Sequence, residues 1–296
     1  MYRNLYSTDT LTVVRRLIVN ADDFGLTPGV NQAVSELHRG GALTSATLMA
    51  TASCFDQAVL DARTQSSLGI GCHIVLVDGS PVLSTSLIPS LAGPAVTCST
   101  NFRPKLGSFV ADLLRGRISG SEIEAEATAQ IQKAQKAGVQ VTHLDTHKHT
   151  HMFPRVLRPL LRAALRCGVR AIRNPFEPDW SLNATANAGH VRKMQVRLLR
   201  SQSTAFQKEV SRAGLLTTDG AIGVLATGTL DALTINDLLD AMPDGTWELV
   251  CHPGYNDSAL QQQRTRLLQS REVERTALLE TIPNANVNLI HFEQLR

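Results

Sequence analysis

The most constraining feature of this chain is a recurring unit: a short apolar run, then polar residues of metal-ligand type, then a segment with helical spacing. Leu17-Ile18-Val19 is the first such run, and Asn20-Ala21-Asp22-Asp23-Phe24-Gly25 follows it. Thr27-Pro28 supplies a helix N-cap and an N1 proline for a helix reaching Arg39, which Gly40-Gly41 ends. Ala46 to Met49 and Ile70 to Leu76 read as further strands, with a helix from about Asp56 to Arg63 between them. Strands are also expected at Val141 to Asp145, Ala171 to Arg173, Ile222 to Leu225, Glu248 to Cys251 and Val287 to Ile290. Alternation of this kind gives parallel strands with helices packed outside them. Seven or eight such units imply an α/β fold, a (β/α) barrel that is distorted or seven-stranded. In such barrels the reacting groups sit on loops after the strand C-termini.

Between these units, Ser121 and Glu124 have the spacing of a capping box for a helix running to Ala137, where Gly138 stops it. Pro154 opens a helix that Cys167-Gly168 closes. Gly79 to Ser119 is rich in Pro, Ser, Gly and Thr without a clear period and reads as a long loop insertion, functional or mobile. A basic helix is expected between Val191 and Ala213, its apolar side against the barrel. With no internal repeat and no evident linker, residues 16–296 are expected to form one domain behind an extension of residues 1–15.

Composition removes several functions. A net charge of +3 and 4% aromatic residues give nucleic acid little to bind or stack on. The five cysteines (Cys54, Cys72, Cys98, Cys167, Cys251) form no C-x-x-C and read as reduced thiols of a cytosolic protein. Arg15 and Arg16 split the apolar run from Leu11 to Val19, so no export signal is expected, and no stretch is long enough to span a bilayer. The expected location is the cytoplasm. Asp23-Phe24-Gly25 spells the kinase metal-binding tripeptide, but no His-Arg-Asp loop or Walker-type loop accompanies it. Phosphoryl transfer is rejected.

Ligand-type residues fall at four strand ends: Asp22-Asp23, His73, the run from His143 to His151, and His252-Pro253-Gly254. Adjacent aspartates repel unless something stabilises them; a bound divalent cation does so and leaves one carboxylate as ligand and one as base. Two histidines and a carboxylate with open positions match a catalytic metal site. Extended backbone would put His143, Asp145 and His147 on one face, whereas a helical turn would pair His147 with His151. The roles of His143, Asp145, His149 and His151 stay open. Taken singly, each motif has a plainer reading as a turn, a core histidine or an adventitious metal-binding tract; their common placement after strands carries the argument.

At these residues the chain resembles the YdjC-like carbohydrate deacetylases. The resemblance rests on Leu17 to Leu26, Leu43 to Met49, Gly71-Cys72-His73, Thr142 to His151 and Cys251 to Gly254, in family order from about Arg16 nearly to the C-terminus. It implies a hydrolase that removes acetyl from an amino sugar. Asp23, His73 and His147 would hold a divalent metal, zinc or magnesium, Asp22 would be the base, and His252 is the candidate acid. The sequence departs from the family pattern at Cys72, where leucine is usual. His73 to Gly79 with Pro81, and Arg173 to Pro178, are most similar to the hopanoid biosynthesis-associated branch. That likeness implies an N-acetylglucosaminyl hopanoid as substrate, a lipid-linked sugar that suits peripheral contact of the basic helix with the inner membrane face. The alternatives are a deacetylase of soluble chito-oligosaccharides and, in another class, a non-catalytic metal- or sugar-binding protein.

Overall fold

The computed structural model describes residues 15–92, 101–186 and 189–295. Eight strands share one parallel sheet: β1 (Arg15–Phe24), β2 (Ser45–Leu48), β3 (Gly69–Ile74), β4 (Val141–Thr146), β5 (Ala171–Ile172), β6 (Gly220–Ile222), β7 (Gly245–Cys251) and β8 (Asn288–Leu289). Their order is β5-β4-β3-β2-β1-β7-β6, and β8 pairs with the start of β1. Leu216, just before β6, forms a parallel bridge to Ala171 of β5, which draws the two edges of the curled sheet together. The result is a distorted, seven-stranded (β/α) barrel with a short eighth strand beside β1. From Leu17 onward β1 is buried on both faces, as expected of a parallel strand covered by helices.

The helices between strands are α1 (Pro28–Arg39), α2 (Phe55–Arg63), α3 (Pro89–Ala92), α4 (Leu106–Leu114), α5 (Gly120–Lys136) and α6 (Pro154–Arg166). They continue with α7 (Asp179–Ala184), α8 (His190–Arg200), α9 (Ser203–Arg212), α10 (Ala232–Ala241), α11 (Ser258–Gln261) and α12 (Gln269–Thr281). Thr27 caps α1 as its sequence predicts, its hydroxyl accepting from the Val30 N–H at 3.2 Å.

Four local expectations change. The capping box does not form: α5 begins at Gly120 after Ser119, without a side-chain cap. Glu124 instead pairs with Arg162 (2.6 Å) and Arg166 (3.0 Å) of α6, so interhelical ion pairs replace the local bond. The insertion between Gly79 and Ser119 carries two short helices, α3 and α4, and is pinned to α5 by carboxylates. Glu126 accepts from the Val82 and Leu83 N–H groups at 2.7 and 3.0 Å, and Glu122 from those of Ser90 and Leu91 at 2.8 and 2.9 Å. Residues 93–100, including Cys98, lie outside the described residues, as do 1–14 of the expected extension. The expected basic helix is two, α8 and α9, and its apolar side is packed away only in part: Met194 and Leu198 are 70% and 74% exposed, while Leu199 is partly buried against the core. The strand expected at Ile222 to Leu225 is instead Gly220–Ile222, because Gly223 turns the chain with φ 81°.

Candidate active site

The C-terminal end of β1 makes an uncommon turn. Successive strand residues normally face opposite sides, but Asp23 adopts φ 65°, in the left-handed region that few non-glycine residues occupy. The Asp23 carbonyl accepts from the Leu26 N–H at 3.0 Å, and Asn31 Oδ1 accepts from the Gly25 N–H at 2.8 Å. Held in this way, Asp22 and Asp23 both open onto one cleft of about 770 Å3, with His73, His147 and His252.

Asp23 Oδ1 lies 3.6 Å from His73 Nε2 and 3.6 Å from His147 Nδ1, and the three donor atoms all fall within 4.8 Å of one another. Donors about 2.1 Å from a tetrahedral cation are about 3.4 Å apart, so a divalent cation fits among them. His73 Nδ1 sits 2.8 and 2.9 Å from the two Asp145 oxygens, an arrangement that fixes the ring and leaves Nε2 facing the cleft. Burial opposes charging of the His73 ring, but Asp145, Asp22 and Asp23 outweigh it and push its pKa up to about 9. Without a metal, an imidazolium therefore carries the positive charge that this carboxylate cluster requires. Asp22, His73 and Asp145 are grouped as closely, yet Arg173 occupies both of those carboxylates. The Asp23 group is the better cage.

Arg173, fully buried after β5, is the electrostatic hub. It binds both oxygens of Asp22 (2.7 and 2.9 Å), and its nitrogens lie 2.5 Å from Asp145 Oδ2 and 2.6 Å from Glu248 Oε1. Burial by itself would raise the Asp22 pKa; Arg173, His73 and His252 overcome it and hold the carboxyl well below its usual range. Glu248 shows the opposite balance, burial driving it up to about 7 against the pull of Arg173.

His252 Nε2 stands 3.8 Å from Asp22 Oδ2, and burial pushes the ring down to about 4 despite the neighbouring aspartates. Its loop is fastened by α12. Glu274 Oε2 accepts from the His252 N–H at 2.6 Å, and Arg271 donates to the His252 carbonyl at 3.5 Å. The same guanidinium reaches Asp23 Oδ2 at 2.5 Å.

The histidine run follows neither sequence alternative in full. β4 stays extended through Thr146, so His143, Asp145 and His147 all face inward, but Lys148 and His149 then kink into the left-handed region at φ 59° and 51°. His151 is buried against Thr146 Oγ1 at 2.7 Å and does not join His147 at the cage. His143 stacks on Phe292 at 3.7 Å and lies 3.2 Å from Asn20 Oδ1, whose own amide donates to Asp22 at 3.1 Å. Cys72 points into the core with its thiol pushed up by burial, away from the cage as strand alternation predicts.

With this geometry in view, the comparisons with known proteins become informative. Residues 16–283 match the sequence model of the family described as YdjC-like protein. The chain belongs to the YdjC-like family. A carbohydrate deacetylase of Thermoanaerobacter pseudethanolicus is 28% identical over 289 residues, covering 96% of this chain and all of that one. A carbohydrate deacetylase of Brevibacillus brevis is 40% identical over 132 residues, 45% of this chain and 48% of that relative. A crystal structure from Enterococcus faecalis, described as a candidate cellobiose-phosphate cleavage protein, superposes with a TM-score of 0.74 at 26% identity, covering 95% of this chain and 98% of that one. The fold is thus that of a family with deacetylase members.

Arg173, Arg271 and Glu274 are the site residues that sequence reasoning missed. Arg173 stood only within a motif of the branch resemblance, and nothing in the spacing tied it to Asp22, 151 positions earlier. An arginine following a strand in the same register as the ligand-bearing strand ends was the signal available. For Arg271 and Glu274, on a helix with no motif, there was none.

Proposed function

We propose that the protein is a metal-dependent hydrolase that removes the N-acetyl group of an amino sugar. One observation carries this: an aspartate kept ionised, Asp22, borders a cage of two histidines and one carboxylate, with a neutral histidine on its other side. A binding protein needs the cage but not the flanking pair. The family's deacetylase members support the same reading. Zinc and magnesium both suit Asp23, His73 and His147. When bound there, such an ion supplies a Lewis acid for the acetamide carbonyl and lowers the pKa of water.

The chain's own residues complete the chemistry. Arg173 keeps Asp22 deprotonated and aimed into the cleft, so Asp22 takes the proton of the attacking water. His252 starts neutral, since burial has pushed its pKa down to about 4. It stands 3.8 Å from Asp22 and, once the pair closes to hydrogen-bonding distance, receives that proton and delivers it to the departing amide nitrogen. Acetate and a free amine leave, and Asp22 and His252 return to their starting states.

For the substrate, the branch likeness at His73 to Gly79 and Arg173 to Pro178 supports an N-acetylglucosaminyl hopanoid. The exposed Met194 and Leu198 on basic α8, which also contributes Arg192 to the cleft wall, favour a lipid-linked sugar presented at a membrane face. No helix of the described residues is long and apolar enough to cross a membrane. A soluble chito-oligosaccharide is the second reading; the relative matched over its full length is described simply as a carbohydrate deacetylase. Acetate release from the glycolipid and from di-N-acetylchitobiose, by metal-stripped and reloaded protein, tests both. Release from neither by the reloaded enzyme would overturn the deacetylase reading.

A further inference from the structure

The two oxygens of Asp23 have different surroundings. Oδ1 faces His73 Nε2 and His147 Nδ1, each at 3.6 Å. Oδ2 is held at 2.5 Å by Arg271, a guanidinium only 1% exposed. Arg271 has little freedom to leave. Its Nε donates to the Leu267 carbonyl at 3.1 Å, its Nη1 to the His252 carbonyl at 3.5 Å, and its backbone carbonyl accepts from the Gly254 N–H at 3.2 Å. The left-handed backbone of Asp23 sets where its side chain leaves the main chain, and the Arg271 bond to Oδ2 is what keeps the carboxylate from turning both oxygens to the histidine side.

From these contacts we infer that Arg271 is a positioning residue that enforces one-oxygen coordination by Asp23 and keeps a coordination position open at the metal. The inference rests on reading Asp23, His73 and His147 as metal ligands. Three single-atom donors leave a four-coordinate cation one open position and a six-coordinate cation three. A two-oxygen Asp23 would take one of those away, and the site must hold both water and the acetamide carbonyl. Arg271 also places a positive charge on the carboxylate that binds the cation. It therefore weakens metal affinity while preserving access, a combination that a merely structural arginine would not produce. Through the His252 carbonyl the same side chain couples the ligand to the loop of the candidate acid.

Cobalt(II) alone is the probe, because its visible absorption weakens as coordination number rises. Wild type, Arg271→Met and Arg271→Lys would be titrated with cobalt and their folding followed by circular dichroism. The methionine variant is expected to bind cobalt more tightly, with absorption per bound ion reduced about threefold or more as Asp23 becomes a two-oxygen ligand. The lysine variant, still able to occupy Oδ2, should keep the wild-type spectrum. An unchanged spectrum in folded Arg271→Met, or weaker binding with unchanged absorption, would overturn the inference. If the methionine variant does not fold, Arg271→Gln, which has no charge and a shorter reach, provides the same comparison. Wild-type protein that binds no cobalt would instead overturn the ligand assignment itself.

Discussion

At the scale of single residues, the site balances charges that could not be buried separately. Arg173 lies among Asp22, Asp145 and Glu248 with no exposure, so its loss would strand buried carboxylates. We expect Arg173→Met to cost about 3–5 kcal/mol in chemical unfolding, the penalty for breaking a buried ion network from one side. His73 makes a second prediction. Its pKa of about 9 without metal means that the nitrogen we propose as a ligand carries a proton at pH 7, which a cation would have to displace. Calorimetric metal titrations in buffers of different ionisation enthalpy should show release of about one proton per ion at pH 7, and proton-free binding would contradict this account of the ring. Gly71 shows how packing selects a residue in the same motif: a Cβ there would stand 2.5 to 2.8 Å from three atoms of the His143 ring. Sequence reasoning could place Asp22, Asp23, His73, His147 and His252 at strand ends because strand position is a local property. It could not assign His143 or Asp145, whose partners Asn20 and His73 lie 123 and 72 positions away.

At the scale of elements, the strand–helix alternation was legible because parallel strands buried on both faces leave uninterrupted apolar runs. What escaped was structure made by tertiary contacts. Helices α3 and α4 are four and nine residues long, too short to stand alone. Glu122 and Glu126 of α5 supply the acceptors that their segment needs, and the insertion in turn sends Pro104 and Leu106 to the cleft wall. Glu126→Ala should therefore cost about 1–3 kcal/mol by removing the charged acceptor of the Val82 and Leu83 N–H groups. Limited proteolysis should then cut between Gly79 and Ser119 sooner than in wild type, and KM should rise more than kcat falls. Unchanged proteolysis would show that the carboxylate is not what holds the insertion. The capping box failed for a related reason, since Glu124 finds two arginines of α6 that its sequence neighbours do not reveal.

At the scale of the whole molecule, the barrel interior holds an unusual number of histidines kept uncharged. Burial, the largest cause in each case, drives His143, His149, His151 and His252 below the ordinary imidazole range, to about 3 for His149 and about 4 for His252. The unfolded chain binds protons at these positions near pH 6.5 while the folded chain does not. Their stabilisation is therefore complete above that pH and is lost as pH falls from about 6.5 toward 3. Glu248 and Glu274, both pushed up to about 7 by burial, act in the reverse sense, their contribution fading as pH rises from about 4.5 through 7. His73, pushed up to about 9, acts in the same sense as these carboxyls, so metal-free protein should lose melting temperature steeply on acidification below pH 6.5 and more gradually as pH rises from 6.5 toward 9. A flat acid limb would contradict the neutral burial of these rings.

The central claim is that Asp22 performs the chemistry while Asp23, His73 and His147 hold the cation. It is tested most directly by metal content and acetate release measured together for Asp22→Asn and His147→Ala. The account predicts a full complement of metal with activity lost in Asp22→Asn, and loss of both in His147→Ala. An Asp22→Asn protein that still releases acetate at the wild-type rate would contradict it.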